Sequence, residues 1–179
     1  KEVYYYEAGN PRKGVNLITD IGFYPEKIEW FDDSSSLLIE QNGNLFEYQI
    51  SSKLMSVVFL SQQAKTVYTV GKDKVYYVKP SKEELMLYKN KKSEVLELPK
   101  NFIFPASIVS LTTSVNADNI LVINSASGVI YLNTSEKLFE IVDKFSAGIV
   151  KVSQNGMGFI YLKEETLGAY YIDNRKNQN

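Results

Sequence analysis

The chain has 179 residues, 44% of them apolar and 23% charged, the profile of one globular domain. A formal net charge of −1 and a pI of 5.6 give no broad positive field for nucleic acid or anionic lipid. Cysteine and histidine are both absent, which excludes disulfides, thiolate chemistry, and zinc sites or nucleophile–base pairs built on histidine within this chain.

No apolar run approaches the roughly 18 residues of a membrane span. The chain opens at Lys1 with neither methionine nor signal sequence, and so reads as a fragment or a processed product. Thirteen tyrosines, nine phenylalanines and frequent valine and isoleucine favour strands. The apolar runs are short and bounded by Gly, Asn, Asp, Ser and Pro, as strands joined by turns are.

The predicted strands in chain order begin with Val3 to Glu7 and Val15 to Asp20. A second group follows at Lys27 to Phe31, Ser36 to Glu40, Leu45 to Ile50 and Leu54 to Leu60, with Asn42-Gly43 as a tight hairpin turn. A third group runs Thr66 to Val70, Val75 to Val78, Leu85 to Lys89 and Glu94 to Leu98. A fourth runs Ile108 to Thr112, Asn119 to Asn124, Val129 to Asn133 and Leu138 to Val142. The last comprises Ile149 to Val152, Gly158 to Leu162 and Ala169 to Asp173, followed by a polar tail. Residues 81–92 have helix-forming composition, but their register with the other groups predicts a strand there.

That register is a repeat. VYYYEA from Val3, LFEYQI from Leu45, LMLYKN from Leu85, VIYLNT from Val129 and AYYIDN from Ala169 align, with successive starts 42, 40, 44 and 40 residues apart. A period near forty with strand-like content is the signature of propeller blades. The expectation is an all-β, single-domain β-propeller or propeller fragment. It has a partial blade over 1–21, complete four-stranded blades over 26–60, 65–99 and 107–143, and a partial blade over 148–174. Three whole blades sit at or below the usual range of about four to eight, so an open arc is expected rather than a closed ring.

The stretch IEWFDDSSSLLIEQNGNLFEYQI, Ile28 to Ile50, resembles a repeat of the TolB-like, WD-type bacterial propellers. Trp30 stands at the aromatic position and Asp32-Asp33-Ser34 at the following turn. Looser copies start at Val115-Asn116-Ala117-Asp118, at Gly71-Lys72-Asp73-Lys74 and at Val152-Ser153-Gln154-Asn155-Gly156. The resemblance implies a non-catalytic scaffold that binds a protein partner, without a cofactor. Several members work in the bacterial envelope, which implies an extracytoplasmic setting, periplasm or cell surface. Two other roles stay open: the accessory propeller of a larger enzyme, such as a peptidase gating domain, and a carbohydrate-binding or glycosidase propeller.

The densest acidic group is Glu29 with Asp32 and Asp33. Paired carboxylates suit glycosidic cleavage, but aspartates in this turn more often cap the backbone. The run Asp32 to Ser36 lacks the spacing of a calcium loop, so no metal site is expected. Lys89, Lys91 and Lys92 read as a solvated basic group. Most blade-to-blade connections carry aromatics: Phe23 and Tyr24, then Phe102 and Phe104, then Phe145. Of these, Tyr24, Phe102, Phe104 and Phe145 are the candidate partner-binding residues, although plugging the gaps between blades is the commoner use of such rings. Asn133-Thr134-Ser135 matches the glycosylation sequon, at a position expected to be exposed.

Overall fold

The computed structural model describes residues 2–6, 14–31, 35–114, 116–117 and 119–172. A two-stranded sheet I holds β1 (Tyr4–Tyr5) and β2 (Val15–Asn16), followed by helix α1 (Leu17–Ile21). Sheet II holds β3 (Lys27–Trp30), β4 (Ser36–Gln41), β5 (Asn44–Gln49) and β6 (Leu54–Phe59). Sheet III holds β7 (Tyr68–Val70), β8 (Lys74–Lys79), β9 (Glu84–Lys89) and β10 (Lys92–Val95). Sheet IV holds β11 (Ile108–Thr113), β12 (Ile120–Ser125), β13 (Gly128–Asn133) and β14 (Leu138–Asp143). Sheet V holds β15 (Ile149–Val152), β16 (Gly158–Lys163) and β17 (Thr166–Tyr171).

Every sheet is an antiparallel meander whose spatial order follows chain order. This is the architecture of propeller blades, three complete with four strands and two partial. Central strands are buried on both faces: Leu37, Leu38 and Ile39 in β4, Val75 to Val78 in β8, and Ile120 to Ile123 in β12. Such strands read as continuous apolar runs because each blade is sandwiched between two others.

Four apolar clusters form the core, and each joins adjacent sheets. Leu17 and Ile21 of α1 meet Leu37, Ile39 and Tyr48 of sheet II. Leu38, Leu45 and Val58 meet Val75, Tyr77, Met86 and Tyr88. Tyr76, Val78 and Leu85 meet Leu111, Leu121, Ile123 and Leu132. Ile120, Val122, Val129 and Tyr131 meet Val150 and Phe159.

The first copy departs from expectation. The predicted strand over Val15 to Asp20 pairs only at Val15 and Asn16 and then turns into α1. The cause is local. The Asn16 side chain caps the helix by accepting from the Ile18 N–H at 3.1 Å, and Gly22 closes it with a left-handed φ of 81°. Leu17 and Ile21, four apart, then share the face that covers sheet II. Residues 81–92, by contrast, hold one 3-10 turn at Pro80–Lys82 before β9, so the repeat outweighs helix propensity there. The turn aspartates Asp32, Asp33 and Asp118 lie outside the described residues.

Candidate binding face

Each complete blade starts its first strand and ends its fourth at the same end of the sheet. The blade-to-blade connections therefore share one end of the arc with the turns between second and third strands. Hydrogen bonds fasten the two together. Thr66 donates its hydroxyl to the Gly43 carbonyl at 2.6 Å, and the Asn44 side chain accepts from the Ser61 N–H at 2.9 Å. Gly43 is required: its φ is 74°, and a Cβ would stand 2.2 Å from the Gln63 carbonyl oxygen. Gly128 meets the Asp143 carbonyl oxygen in the same way, at 2.1 Å.

On this end the four candidate residues divide. Phe102 and Phe104 pack against the cluster between sheets III and IV, with Phe102 edge-on to Phe139 at 5.2 Å. Tyr24 and Phe145 are exposed, at 58% and 62%. Phe23, beside Tyr24, is turned inward onto Phe46. Two further large apolar residues on the connections are exposed. Leu60, 62% exposed, occupies the connection that has no aromatic, and Ile103, 85% exposed, projects between Phe102 and Phe104.

Phe145 is held in place. The Asp143 side chain accepts from the Phe145 N–H at 3.0 Å, and the Lys163 ammonium lies 3.8 Å from the ring centre. Desolvation raises the Asp143 carboxyl, but the Phe145 amide and the Lys163 charge outweigh it and hold its pKa below the usual range. Two grooves open at equivalent places on this end. One of about 350 Å³ lies between Leu60, Gln63 and Ser81. The other, about 240 Å³, lies between Asp143, Lys163 and Glu164.

The remaining polar candidates are engaged elsewhere. Glu29 forms an ion pair with Lys27, whose ammonium also lies 4.8 Å from the Tyr68 ring centre. Among the described residues, the Tyr68 hydroxyl has no partner in bonding geometry. Burial first, then the charges of Glu29 and Glu40, raise its pKa. Lys89 pairs with Asp73 at 2.8 Å. The sequon asparagine is not exposed: Asn133 is 6% exposed, and its oxygen accepts from the Ser135 and Glu136 amides. Among the described residues, no three carboxylates converge as metal ligands.

Solved structures share this fold. The extracellular domain of a protein described as a one-component system from B. thetaiotaomicron superposes with a TM-score of 0.59 at 15% identity. That match spans 84% of this chain and 22% of the other. The β-propeller domain of Cps50 (Swd1) from Myceliophteria thermophila superposes with a TM-score of 0.56 at 9% identity, over 87% of this chain and 56% of that one. At such identities the likeness concerns the fold. No protein-family model matches the sequence, and no curated protein matches it.

Proposed function

We propose that this propeller arc is a non-catalytic scaffold that binds a protein partner across the end carrying the blade-to-blade connections. The observation that supports it is the row Tyr24, Leu60, Ile103 and Phe145, one exposed large apolar side chain on each of four successive connections. Isolated exposed apolar residues need no explanation, but a row beside grooves suits the anchors of an interface. Phe145, held by Asp143 and Lys163, loses little side-chain freedom on binding, which favours affinity. The resemblance of the repeats to TolB-like propellers, and the fold shared with an extracellular domain, support an extracytoplasmic setting.

A photo-crosslinking amino acid placed at position 24 or 145 tests this in cells. The expected result is a discrete protein adduct from both positions and none from position 52, which lies in a turn at the opposite end of sheet II. Adducts from position 52 alone, or from none of the three, would overturn the reading.

A further inference from the structure

The junctions between sheets II and III and between sheets IV and V share one construction. In both, the third and fourth strands shift register at the same place, so that Leu45 stands opposite Phe59 and Val129 opposite Asp143. Phe59 and Asp143 therefore hold the same position at the end of the fourth strand. In both, the second strand of the following sheet ends on a lysine, Lys79 of β8 and Lys163 of β16. Lys79 lies two residues past Tyr77, and Lys163 four past Phe159. Tyr77 and Phe159 pack back onto the preceding sheet, so the two-residue period turns both lysines the same way. Lys163 stands one pleat farther along its strand than Lys79.

At the IV–V junction the chain supplies an acid and an aromatic to its own lysine. The Asp143 carboxylate lies 3.5 Å from the Lys163 ammonium and accepts from the Phe145 N–H, and the Phe145 ring centre lies 3.8 Å from the same ammonium. At the II–III junction the lysine is present and the acid is not, since Phe59 takes the place of Asp143. The groove of about 350 Å³ there is lined by Phe59, Leu60, Ser61, Lys79 and Ser81, and among the described residues no carboxylate lines it. Among those residues Lys79 makes no ion pair or hydrogen bond, not even to Glu84 directly across the strand pair. The Ser61 hydroxyl accepts from the Gln63 N–H at 3.0 Å and keeps its own proton to donate. Phe59, packed on Tyr77 at 5.0 Å, and the exposed Leu60 give the groove an apolar wall.

We propose that this groove binds an acidic–aromatic segment of the protein partner, a carboxylate side chain followed two residues later by an aromatic ring. The carboxylate sits on Lys79 and the Ser61 hydroxyl, and the ring lies against Phe59 and Leu60. The occupant is argued from charge and from the chain's own template: Asp143 and Phe145, two residues apart, engage the lysine of the IV–V junction in this way. A partner carboxylate on Lys79 forms a charge-assisted hydrogen bond at the edge of an apolar wall, where such bonds are strongest. The inference rests on the reading of the connection face as the partner surface, and it gives that partner its chemistry.

A peptide with both ends capped that copies residues 142–147, VDKFSA, tests this when titrated into isotope-labelled protein and followed by amide NMR shifts. Saturable shifts are expected at Ser61, Gln63 and Ser81. Lys79→Met, and separately a peptide with asparagine in place of the aspartate, are each expected to weaken binding by roughly tenfold or more. Alanine in place of the phenylalanine is expected to weaken it by a similar factor. The decisive arm reverses the charges. Lys79→Glu should lose the unmodified peptide and bind one that carries lysine in place of the aspartate. Unchanged thermal unfolding shows that each protein variant is folded. No shifts up to the solubility limit of the peptide would overturn the proposal. So would shifts that persist undiminished in Lys79→Met, or that fall only at the sheet V turn around Glu164. Any of these results, with adducts still formed from positions 24 and 145, removes the groove and leaves the connection face as the partner surface. Loss of the adducts as well removes that surface too.

Discussion

At the scale of single residues, the blades are clasped by tyrosines. Tyr48 donates to Asp20, Tyr88 to Glu47 and Tyr170 to Glu140, each across to the preceding unit. Burial first, then the carboxylate partner, raises the pKa of all three phenols above the ordinary value of 10. The sign follows from linkage. A group whose folded pKa is raised contributes stability that is complete below its unfolded pKa and is lost as pH rises through the folded value. The fold should therefore weaken from about pH 10 upward. In a titration followed by tyrosinate absorbance, these phenols should ionise only together with unfolding. Tyr88→Phe should lower stability at neutral pH by about 1.5–3 kcal/mol, since the lost bond has a charged acceptor. It should also flatten the alkaline limb. Melting curves at several pH values check both, and an unchanged alkaline slope in Tyr88→Phe would contradict the linkage argument. On the acid side, the Tyr48 hydrogen bond, and then Lys53, hold the Asp20 carboxyl below its usual range. That contribution is lost as pH falls through the folded value.

At the scale of elements, the strands were legible because each of the four main sheets repeats the same polarity pattern at nearly the same spacing. Where the repeat weakens, local chemistry takes over. Asn16 and Gly22 bracket a five-residue helix that strand periodicity does not reveal, and that helix brings Asp20 to Tyr48. On the connections, the sequence located the aromatics but not their exposure. Tyr24 and Phe145 lie open as a binding residue would, whereas Phe102 and Phe104 pack against the core, and nothing in an isolated Phe-Ile-Phe run says which side chain points out. The clasp made by Asn124 was invisible, because its partner is backbone. Its amide nitrogen donates to the Ala147 carbonyl at 2.7 Å, and its oxygen accepts from the Ala147 N–H at 2.9 Å, fully buried. Asn124→Ala orphans both groups, at about 1–3 kcal/mol for each. A fall in melting temperature well beyond that of Ser127→Ala, in the adjoining turn, is expected. At Leu121, buried between sheets III and IV, truncation to Ala should cost about 2–5 kcal/mol. That is a large share of the roughly 5–15 kcal/mol that holds a domain together. Leu121→Asp should unfold the protein, and a variant that melts like the wild type would mean that β12 is not a central strand.

At the scale of the whole molecule, the arc behaves as a one-dimensional stack. Its four clusters each join neighbouring sheets, so stability is set by each unit and its adjacent interfaces. Among the described residues, sheets II, III and IV are covered on both faces, whereas sheets I and V are covered on one. Units covered on one face open at lower free energy than units covered on both. Amide hydrogen exchange on dilute protein should therefore be slowest in β8, β9, β12 and β13 and faster in β1, β2 and β15 to β17. The gradient can be tested further by a substitution placed near one end. Phe159 belongs to the last cluster and stacks on Tyr170 at 5.1 Å, with no part in the other three. Phe159→Ala should speed exchange in sheet V and, less, in sheet IV, while β4 and β5 keep wild-type protection. Leu121→Ala, at the central interface, should instead loosen sheets III and IV together. Equal loss of protection in sheet II after Phe159→Ala would mean that the arc opens as a single cooperative body, and that coupling runs along the backbone connections as well as across the blade faces.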